Sequence, residues 1–590
     1  PDYNGLHLTL KQLPELALLN ELRTHLFQVE QEDNTRLLGD LAALLVEVAE
    51  GNDTAFIYER MGVRYNSLFV DEFQDTSRLH WCLLEPFVQN AISQGGEALL
   101  VGDVKQAIYR WRGGDWQLLA KEIPDKYENN LSLETLADNY RSARQVVEFN
   151  NQLFERLLSA TQTYTRDIAE GVPSEDSLAT IRQTIDAHIA SFQTLLTSAY
   201  ADAKQGVKSQ LTGGVHLTLL PKPDKKSSEL AHTVKYTLTL IDTLIGGGIA
   251  PDKIAVLVRT RRMAQEFVAA ISQHQREGGT PYAVVSQDGL LLDASLDVQL
   301  ALAALRIAAG VEEDLDLATI AQFVNEHLAP DEAWTSQIFD HEAHETKLSP
   351  HLKETLAWLR NLATLPLLDL FDSVLQGLGL PSHPGEMPYI ATLRDKVYTF
   401  QQRQENNVHA FLEFYTSQDP QKRHVSSGDT AGALNLLTIH KAKGLEFDMV
   451  ICPELNYQLL LSNDDTVLWD ESPSPLLTQP DTPTHLGMLP HGVSLQHLAS
   501  TFAPNTVDEY LLRTVDALNT YYVAFTRAER QLYLVHDYEP KTEEKSPKKS
   551  SVGTFTHDFS EVLLPVLKGL PWTDVSEGED GANETGASRC

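Results

Sequence analysis

Ser67 to Thr76, SLFVDEFQDT, constrains this chain more than any other stretch. Ser67-Leu68-Phe69-Val70 is an uncharged run of strand length, and Asp71 and Glu72 follow with no spacer. A strand that delivers adjacent acids to its carboxyl end is how many nucleotide hydrolases hold Mg²⁺ and polarise a water. In that reading Asp71 holds the metal through oxygen ligands and waters. Glu72 orients and activates the attacking water. A buried strand closing in a solvated acidic turn would carry the same letters, so the pattern by itself leaves both open.

The rest of the chain sets the context. At 590 residues it is too long for one core, and about three or four domains or subdomains are expected. Its 42% hydrophobic and 22% charged content is that of a water-soluble globular protein. No apolar run approaches the roughly 20 residues of a membrane helix, so no membrane partner is expected. Pro1-Asp2-Tyr3 has no initiator Met, basic segment or apolar segment, so no signal peptide is read, and the expectation is a start partway through a longer protein. Three distant cysteines, Cys82, Cys452 and Cys590, exclude a disulfide framework and a four-cysteine metal site. A reducing, cytoplasmic compartment is expected. The net charge of −35, from 47 basic and 82 acidic residues, counts against a nucleic-acid binder unless the bases are locally clustered.

Helical leucine spacing runs through Leu13, Leu16, Leu19, Leu22 and Leu26 and again through Leu37, Leu41, Leu44, Leu45 and Val48, which predicts core helices before residue 60. A helix around Trp81 to Asn90 and a second strand, Ala98 to Val101, follow the acidic turn. This alternation predicts a parallel α/β sheet with its active edge at the strand carboxyl ends. Residues 143–205 read as a polar helical bridge or arm. Strands are expected at Val215 to Leu220, Ile254 to Arg259, Leu434 to Thr438, Met449 to Cys452 and Gln531 to Val535. A helical block over 290–425 splits them. Pro221 to Ser228 reads as a solvated loop, 456–508 as loop-rich, and the stretch from Lys541 as low in order, ending in an acidic Gly-rich tail.

Four further segments carry chemistry. In Val101 to Asp115, VGDVKQAIYRWRGGD, the amide of Gln106 at a strand end suits a γ-phosphate or its attacking water. Around it Tyr109, Trp111 and Trp116 alternate with Lys105, Arg110 and Arg112, a pattern that suits single-stranded nucleic acid or an amphipathic loop with inward aromatics. Arg141 in LADNYRS stands just before a helix and offers a planar fork to phosphate, or lies on the surface. In LLTIHKAKGLEFDMV, Thr438 and His440 at a strand end suit phosphodiester contacts and Glu446 suits a ribose hydroxyl. In LNTYYVAFTRA, Arg527 projects from a segment fixed by Tyr522, Val523 and Phe525, as an arginine finger would.

In this order, DEFQDT, GDVKQAIYRWRGGD, LADNYRS, TIHKAKGLEF and YVAFTRA resemble the ordered motifs of the UvrD/Rep group of superfamily 1A DNA helicases, over about residues 50–540. DEFQDTS, GDVKQAIYRWR and SQDGLLL (Ser286 to Leu292) look closer to the RecB/AddA branch. The resemblance implies an α/β chain with two RecA-like parallel-sheet motor cores, the first incomplete, and helical inserted subdomains. The expected divisions are a first core to residue 142, a helical bridge over 143–212, a second core split into 213–290 and 431–540, an inserted helical subdomain over 291–430, and a partly disordered tail over 541–590. It implies an ATP-driven, 3′–5′ translocase or helicase on single-stranded or duplex DNA, acting in repair or recombination, whose partner could be a second helicase-nuclease subunit. By motif position Asp71 would hold Mg²⁺, Glu72 would be the catalytic base, and Gln106 would couple to the γ-phosphate of ATP. Arg141 and Arg527 would be arginine fingers, and Gly444 and Glu446 would meet the nucleotide. Tyr109 and Trp111 would stack on bases or shape the DNA path, and Thr438 and His440 would touch the strand.

One departure matters. The family needs a phosphate loop ending Gly-Lys-Ser or Gly-Lys-Thr upstream of the acidic strand. Neither step occurs in these 590 residues. The expectation is an N-terminally truncated chain that binds ATP poorly and hydrolyses little. The other reading is a non-catalytic DNA- or protein-binding scaffold derived from a helicase. No nuclease constellation is legible after Arg527, where His557 is the faint candidate.

Overall fold

The computed structural model describes residues 3–37, 39–41, 45, 65–170, 179–221, 232–286, 291–327, 349–382, 386–403, 407–418, 423, 425, 432–459, 467–471, 488–492, 502–538, 558–570 and 574–577. Leu44, Val48, residues 222–228 of the expected solvated loop, residues 287–290 of SQDGLLL, His557 and the acidic tail from 578 lie outside them. The chain divides into two compact units, one of Pro1–Lys222 with Ala442–Cys590, the other Pro223–Lys441.

In the first unit α1 (Tyr3–Glu32) precedes β1 (Ser67–Val70), α2 (Arg78–Ser93) and β2 (Glu97–Leu100). β1 and β2 pair in parallel, Ser67 opposite Glu97 and Val70 opposite Leu100. Ser77 caps α2 by accepting from the His80 N–H, which starts the helix directly after the acidic turn. Beneath the pair Phe73, Trp81, Val88, Leu118 and Ile123 form a buried cluster. Phe69 and Leu99 point the other way and are exposed.

A second parallel group lies in the same unit. β3 (Gly214–Pro221), β4 (Phe447–Cys452), β5 (Ala528–Tyr538) and β6 (Asp574–Glu577) lie in the order β6-β3-β5-β4. Gln531 faces Gly214 on one side and Met449 on the other. The helices α3 (Arg144–Glu170) and α4 (Ala179–Ala199) do not stand off as an arm. Val146, Val147, Phe149, Leu153, Phe154 and Leu157 of α3 are buried, with Phe154 edge-on to Tyr522 of α5 (Ala503–Phe525). Two further features depart from the expectations above. The loop-rich stretch holds an antiparallel pair, Val467–Glu471 with Met488–Gly492. The stretch after 541 holds α6 (Ser560–Lys568), which buries Leu563 and Leu567, and the β6 strand. Both are short, so their apolar pattern is weak until a neighbour buries it.

The expected core face of α1 is corrected as well. Leu19, Leu22 and Leu26 are exposed, as are Leu37, Leu41 and Leu45. The spacing predicted the helix correctly but not its burial, which depends on a partner and not on period.

The second unit pairs Ile254–Val258 in parallel with Leu434–Thr438, which also pairs with Val284–Val285. The first of these strands is buried at every position, as a parallel strand covered on both faces must be. Helices His232–Gly246 and Arg261–Arg276 flank it in sequence. Among the described residues six α-helices follow between residues 296 and 417. The first, Leu296–Ala309, is buried along most of its length from Asp297 to Ala308. A helix apolar on nearly all sides becomes the centre of a bundle, and Asp314–His327, Pro350–Asn361, Leu367–Leu378, Met387–Arg403 and Val408–Ser417 complete the block.

Candidate active site

The acidic turn is fixed by its neighbours. Val101 N–H donates to Val70 O at 2.8 Å and Phe73 N–H donates to Val101 O at 2.9 Å, so the chain stays tied to β2 past the end of β1. Phe73 is fully buried and meets Trp81 edge-on, with ring centroids 5.2 Å apart. Between strand and anchor the backbone must turn within two residues. Glu72 takes the left-handed conformation, φ 52° and ψ 37°, rare for a residue with a Cβ. Its N–H is held by Asp71 Oδ1 at 2.8 Å. Both acidic side chains remain exposed to solvent.

Behind them lies a polar layer. Gln74 is buried, donates from Nε2 to Glu72 Oε2, and accepts from Asp103 N–H at 3.0 Å. Asp103 ends the β2 segment and caps the short turn Val104–Gln106, accepting from Lys105 N–H at 3.0 Å. That oxygen, Oδ1, also pairs with Lys105 Nζ at 2.7 Å, and Oδ2 accepts from Gln106 Nε2 at 3.0 Å.

The Lys-Gly-Leu-Glu turn reaches the same place. Gly444 adopts φ 81°, which a glycine takes without penalty. Just before it Lys443, only 6% exposed, pairs with Asp75 and lies 3.3 Å from Glu72 Oε2 and 5.3 Å from the Tyr109 ring centre. Burial pushes the Asp75 carboxyl up from its ordinary range, against the pull of Lys443. Just after Gly444, Glu446 forms an ion pair with Arg141. Arg141 is set by an Asx turn, in which Asn139 Oδ1 accepts from Arg141 N–H and Ser142 N–H at 3.0 and 2.9 Å. Ser142 Oγ then donates to Ala528 O at 2.8 Å, which fixes Arg141 beside the start of β5.

Arg527 immediately precedes that strand. It is buried, and donates to Val523 O at 2.9 Å and Leu445 O at 3.1 Å. Burial, and then repulsion from the Arg141 guanidinium, push its pKa down to about 10, so it remains charged at neutral pH. Two guanidiniums that repel each other beside Glu72 and Asp103 make a place where a polyanion would be stabilised.

Helix α5 connects these parts. Asn519 donates from Nδ2 to Val104 O and Ala107 O, both at 2.9 Å, and so clamps the loop that carries Gln106. Arg110 of that loop forks onto Glu509 at 2.7 and 2.9 Å and reaches Asp516 at 2.7 Å, while Arg513 returns to Glu509 at 2.8 Å. The same helix ends two residues before Arg527. Sequence reading did not single out Glu509, Arg513, Asp516 and Asn519. Their spacing of four, three and three puts them on one helical face, a polar stripe on a helix otherwise buried, and that was the available signal.

The aromatics separate. Trp111 is 70% exposed, Tyr109 is half-buried, and the Arg112 guanidinium lies 5.4 Å and 5.9 Å from their ring centres. Trp116 is buried, so the reading that grouped it with the nucleic-acid aromatics is corrected: it is a core residue. Tyr140, exposed beside Arg141, is a further candidate that its own letters barely announce. Asp71, Glu72, Gln106, Tyr109, Trp111, Arg141, Gly444, Glu446 and Arg527 all belong to the first unit; Thr438 and His440 belong to the second. Thr438 is buried at the end of its strand and His440 is half-buried in the following turn. Among the described residues no group of three or more His, Cys, Asp or Glu could enclose a metal. An exposed Asp71 instead suits Mg²⁺ that keeps its waters and arrives with phosphate oxygens.

Residues 8–128 match the model of the UvrD/REP helicase N-terminal domain, and residues 388–538 that of the UvrD-like helicase C-terminal domain. The chain is similar to an ATP-dependent helicase/nuclease subunit of Streptococcus pneumoniae serotype 2 (strain D39), 23% identical over 553 residues that cover 86% of this chain and 43% of the relative. It is similar to the protein of the same name from Leuconostoc mesenteroides, 24% identical over 612 residues covering 96% and 46%. The exonuclease/helicase subunit RexA of Streptococcus pneumoniae serotype 4 is another relative, 23% identical over 553 residues covering 86% and 43%. The chain thus spans less than half the length of these curated relatives.

Proposed function

We propose that the chain is a member of the UvrD/REP helicase family, on its RecB/AddA side, and part of an ATP-dependent motor that moves along single-stranded DNA and separates duplex DNA in repair or recombination. Asp71 would hold Mg²⁺, which would neutralise phosphate charge. Glu72 takes a proton from the attacking water, and Gln106 holds that water or the γ-phosphate. Arg141 and Arg527 stabilise the charge that develops as the phosphoryl group transfers. Gly444 and Glu446 meet the nucleotide, which requires Glu446 and Lys443 to give up the pairs they make with Arg141 and Glu72. Tyr109 and Trp111 stack on or border the strand, with Thr438 and His440 as phosphodiester contacts. Polarity is 3′–5′ by resemblance, a second helicase-nuclease subunit is the expected partner, and the cytoplasm is the expected compartment. Among the described residues no helix is long and apolar enough to cross a membrane.

The observation that carries this reading is the convergence of three motif segments on the turn from Lys443 to Glu446: Lys443 pairs with Asp75 and lies 3.3 Å from Glu72 Oε2, Arg141 pairs with Glu446, and Arg527 donates to Leu445 O at 3.1 Å. An acid–base residue beside two crowded guanidiniums is the arrangement that phosphoryl transfer needs. The missing Gly-Lys-Ser or Gly-Lys-Thr step favours the second reading, a DNA- or protein-binding scaffold without turnover. Our reading assigns that phosphate cradle to sequence outside these 590 residues. The test is DNA-stimulated ATPase of the 590-residue chain and of a longer chain carrying the loop. Weak activity from the first and strong activity from the second is expected. Full activity from the 590 residues alone would overturn the assignment of the cradle, and none from either would favour the scaffold.

A further inference from the structure

The stretch after α4, Tyr200 to Lys208, lies outside the motif segments, yet it ties two of them together. Its backbone lies against LADNYRS. Asp138 and Asn139 pair in parallel with Gly206 and Val207, with Gly206 N–H donating to Ala137 O at 2.7 Å and Lys208 N–H to Asn139 O at 2.9 Å. From the other side, Asn151 of α3 holds Gln205 by its main chain, accepting from its N–H and donating to its carbonyl, both at 2.9 Å. Main-chain bonds on both sides leave the Gln205 side chain as the part that reaches onward.

That carboxamide bridges the two segments. Oε1 accepts from Asn139 Nδ2 at 2.7 Å, and Nε2 donates to the Tyr522 hydroxyl at 3.3 Å. The polarity is forced. Asn139 Oδ1 already accepts from Arg141 N–H and Ser142 N–H, so its nitrogen faces Gln205. Gln205 must answer with its oxygen, and it keeps its own N–H₂ for Tyr522. Beyond Tyr522 the links continue: its carbonyl accepts from Thr526 Oγ1 at 2.6 Å, and that oxygen accepts from Arg527 Nη2 at 3.0 Å. The turn that sets Arg141 and the residues that hold the Arg527 guanidinium are thus joined through one amide. The join matters because the two cations repel each other. Like charges keep a fixed spacing only when each is held from behind.

We propose that Gln205 is a positioning residue of the phosphoryl-transfer site, setting the Asx turn of Arg141 against the helix that ends just before Arg527. The inference deepens the ATP-hydrolysis reading and rests on it. It is tested in the full-length protein by steady-state ATPase with single-stranded DNA, beside binding of a non-hydrolysable ATP analogue and melting temperature. Gln205→Leu serves neither partner and should lower kcat by about tenfold, leaving KM and analogue affinity within about twofold. Tyr522→Phe removes the far hydroxyl, keeps Gln205 in the sequence, and should lower kcat by a similar factor. The double variant should stay within about twofold of either single variant, because members of one hydrogen-bonded network do not add. A wild-type protein that turns over ATP while Gln205→Leu keeps its kcat overturns the inference. So do additive losses in the double variant, and so does a parallel fall of kcat, analogue affinity and melting temperature, which marks Gln205 as merely structural. A wild type without ATPase overturns the hydrolysis reading itself, and the inference with it.

Discussion

Asn519→Ala probes the joint between helix α5 and the Gln106 loop. Asn519 is fully buried and donates to the carbonyls of Val104 and Ala107, while its own oxygen accepts from the buried Tyr200 hydroxyl. Truncation does not orphan all three groups. Val104 O still receives Ala107 N–H at 3.1 Å. Ala107 O and Tyr200 O–H lose this partner, and each buried polar group left unmade costs about 1–3 kcal/mol. Relaxation recovers part of the sum, which leaves a destabilisation of about 2–4 kcal/mol. The loss is local, so it should also open residues 104–107 preferentially. The assay is urea denaturation of wild type and variant together with hydrogen exchange followed by mass spectrometry. A shift below about 0.5 kcal/mol, with exchange of the 104–107 segment unchanged, would refute the claim that Asn519 clamps this loop.

Other substitutions separate the roles. Trp111→Ala should weaken single-stranded DNA binding by about 1–3 kcal/mol with no change in melting temperature, as read by fluorescence anisotropy and calorimetry; a change in melting temperature without a change in affinity would reassign Trp111 to folding. In the full-length protein Arg527→Lys should lower kcat nearly as far as Arg527→Ala, by about 10³-fold or more, because an ammonium cannot both keep the Val523 and Leu445 carbonyls and face phosphate with a planar fork; restored turnover with Lys would show that charge alone suffices. Burial pushes the Cys452 thiol up to about 12. A raised folded pKa favours the protonated form, so its contribution to stability is present below the unfolded value near 9 and fades as pH rises toward 12. Native alkylation at about pH 8, mapped by mass spectrometry, should therefore label the exposed Cys82 and spare Cys452.

The sequence was most legible where local chemistry repeats itself. β1, β2, the strands at 254, 434, 447 and 528, and the helical block each carry a period or an apolar run that no neighbour has to complete. The acids, amide and arginines were legible because they lie at the ends of those elements. What the letters hid depends on contacts distant in sequence. Gln74 and Asp103 are 29 positions apart, and Lys443 lies 368 positions from Asp75. Trp116 and Trp111 have similar neighbours, yet one is core and the other surface, because only the turn between them decides which ring faces inward. The exposed leucines of α1 show the converse, in which a correct period fixed the helix while burial depended on what covers it. Helix α6 and strand β6 were missed because each is too short to declare a period before it meets its neighbours.

We propose Glu72 as the base of an ATP-hydrolysing site built with Arg141 and Arg527. Single-turnover ATP hydrolysis by the full-length Glu72→Gln variant, beside its affinity for ATP and Mg²⁺, tests it most directly. Hydrolysis should fall by at least about a hundredfold with ATP still bound, the scale of a lost general base. Hydrolysis at the wild-type rate would contradict it.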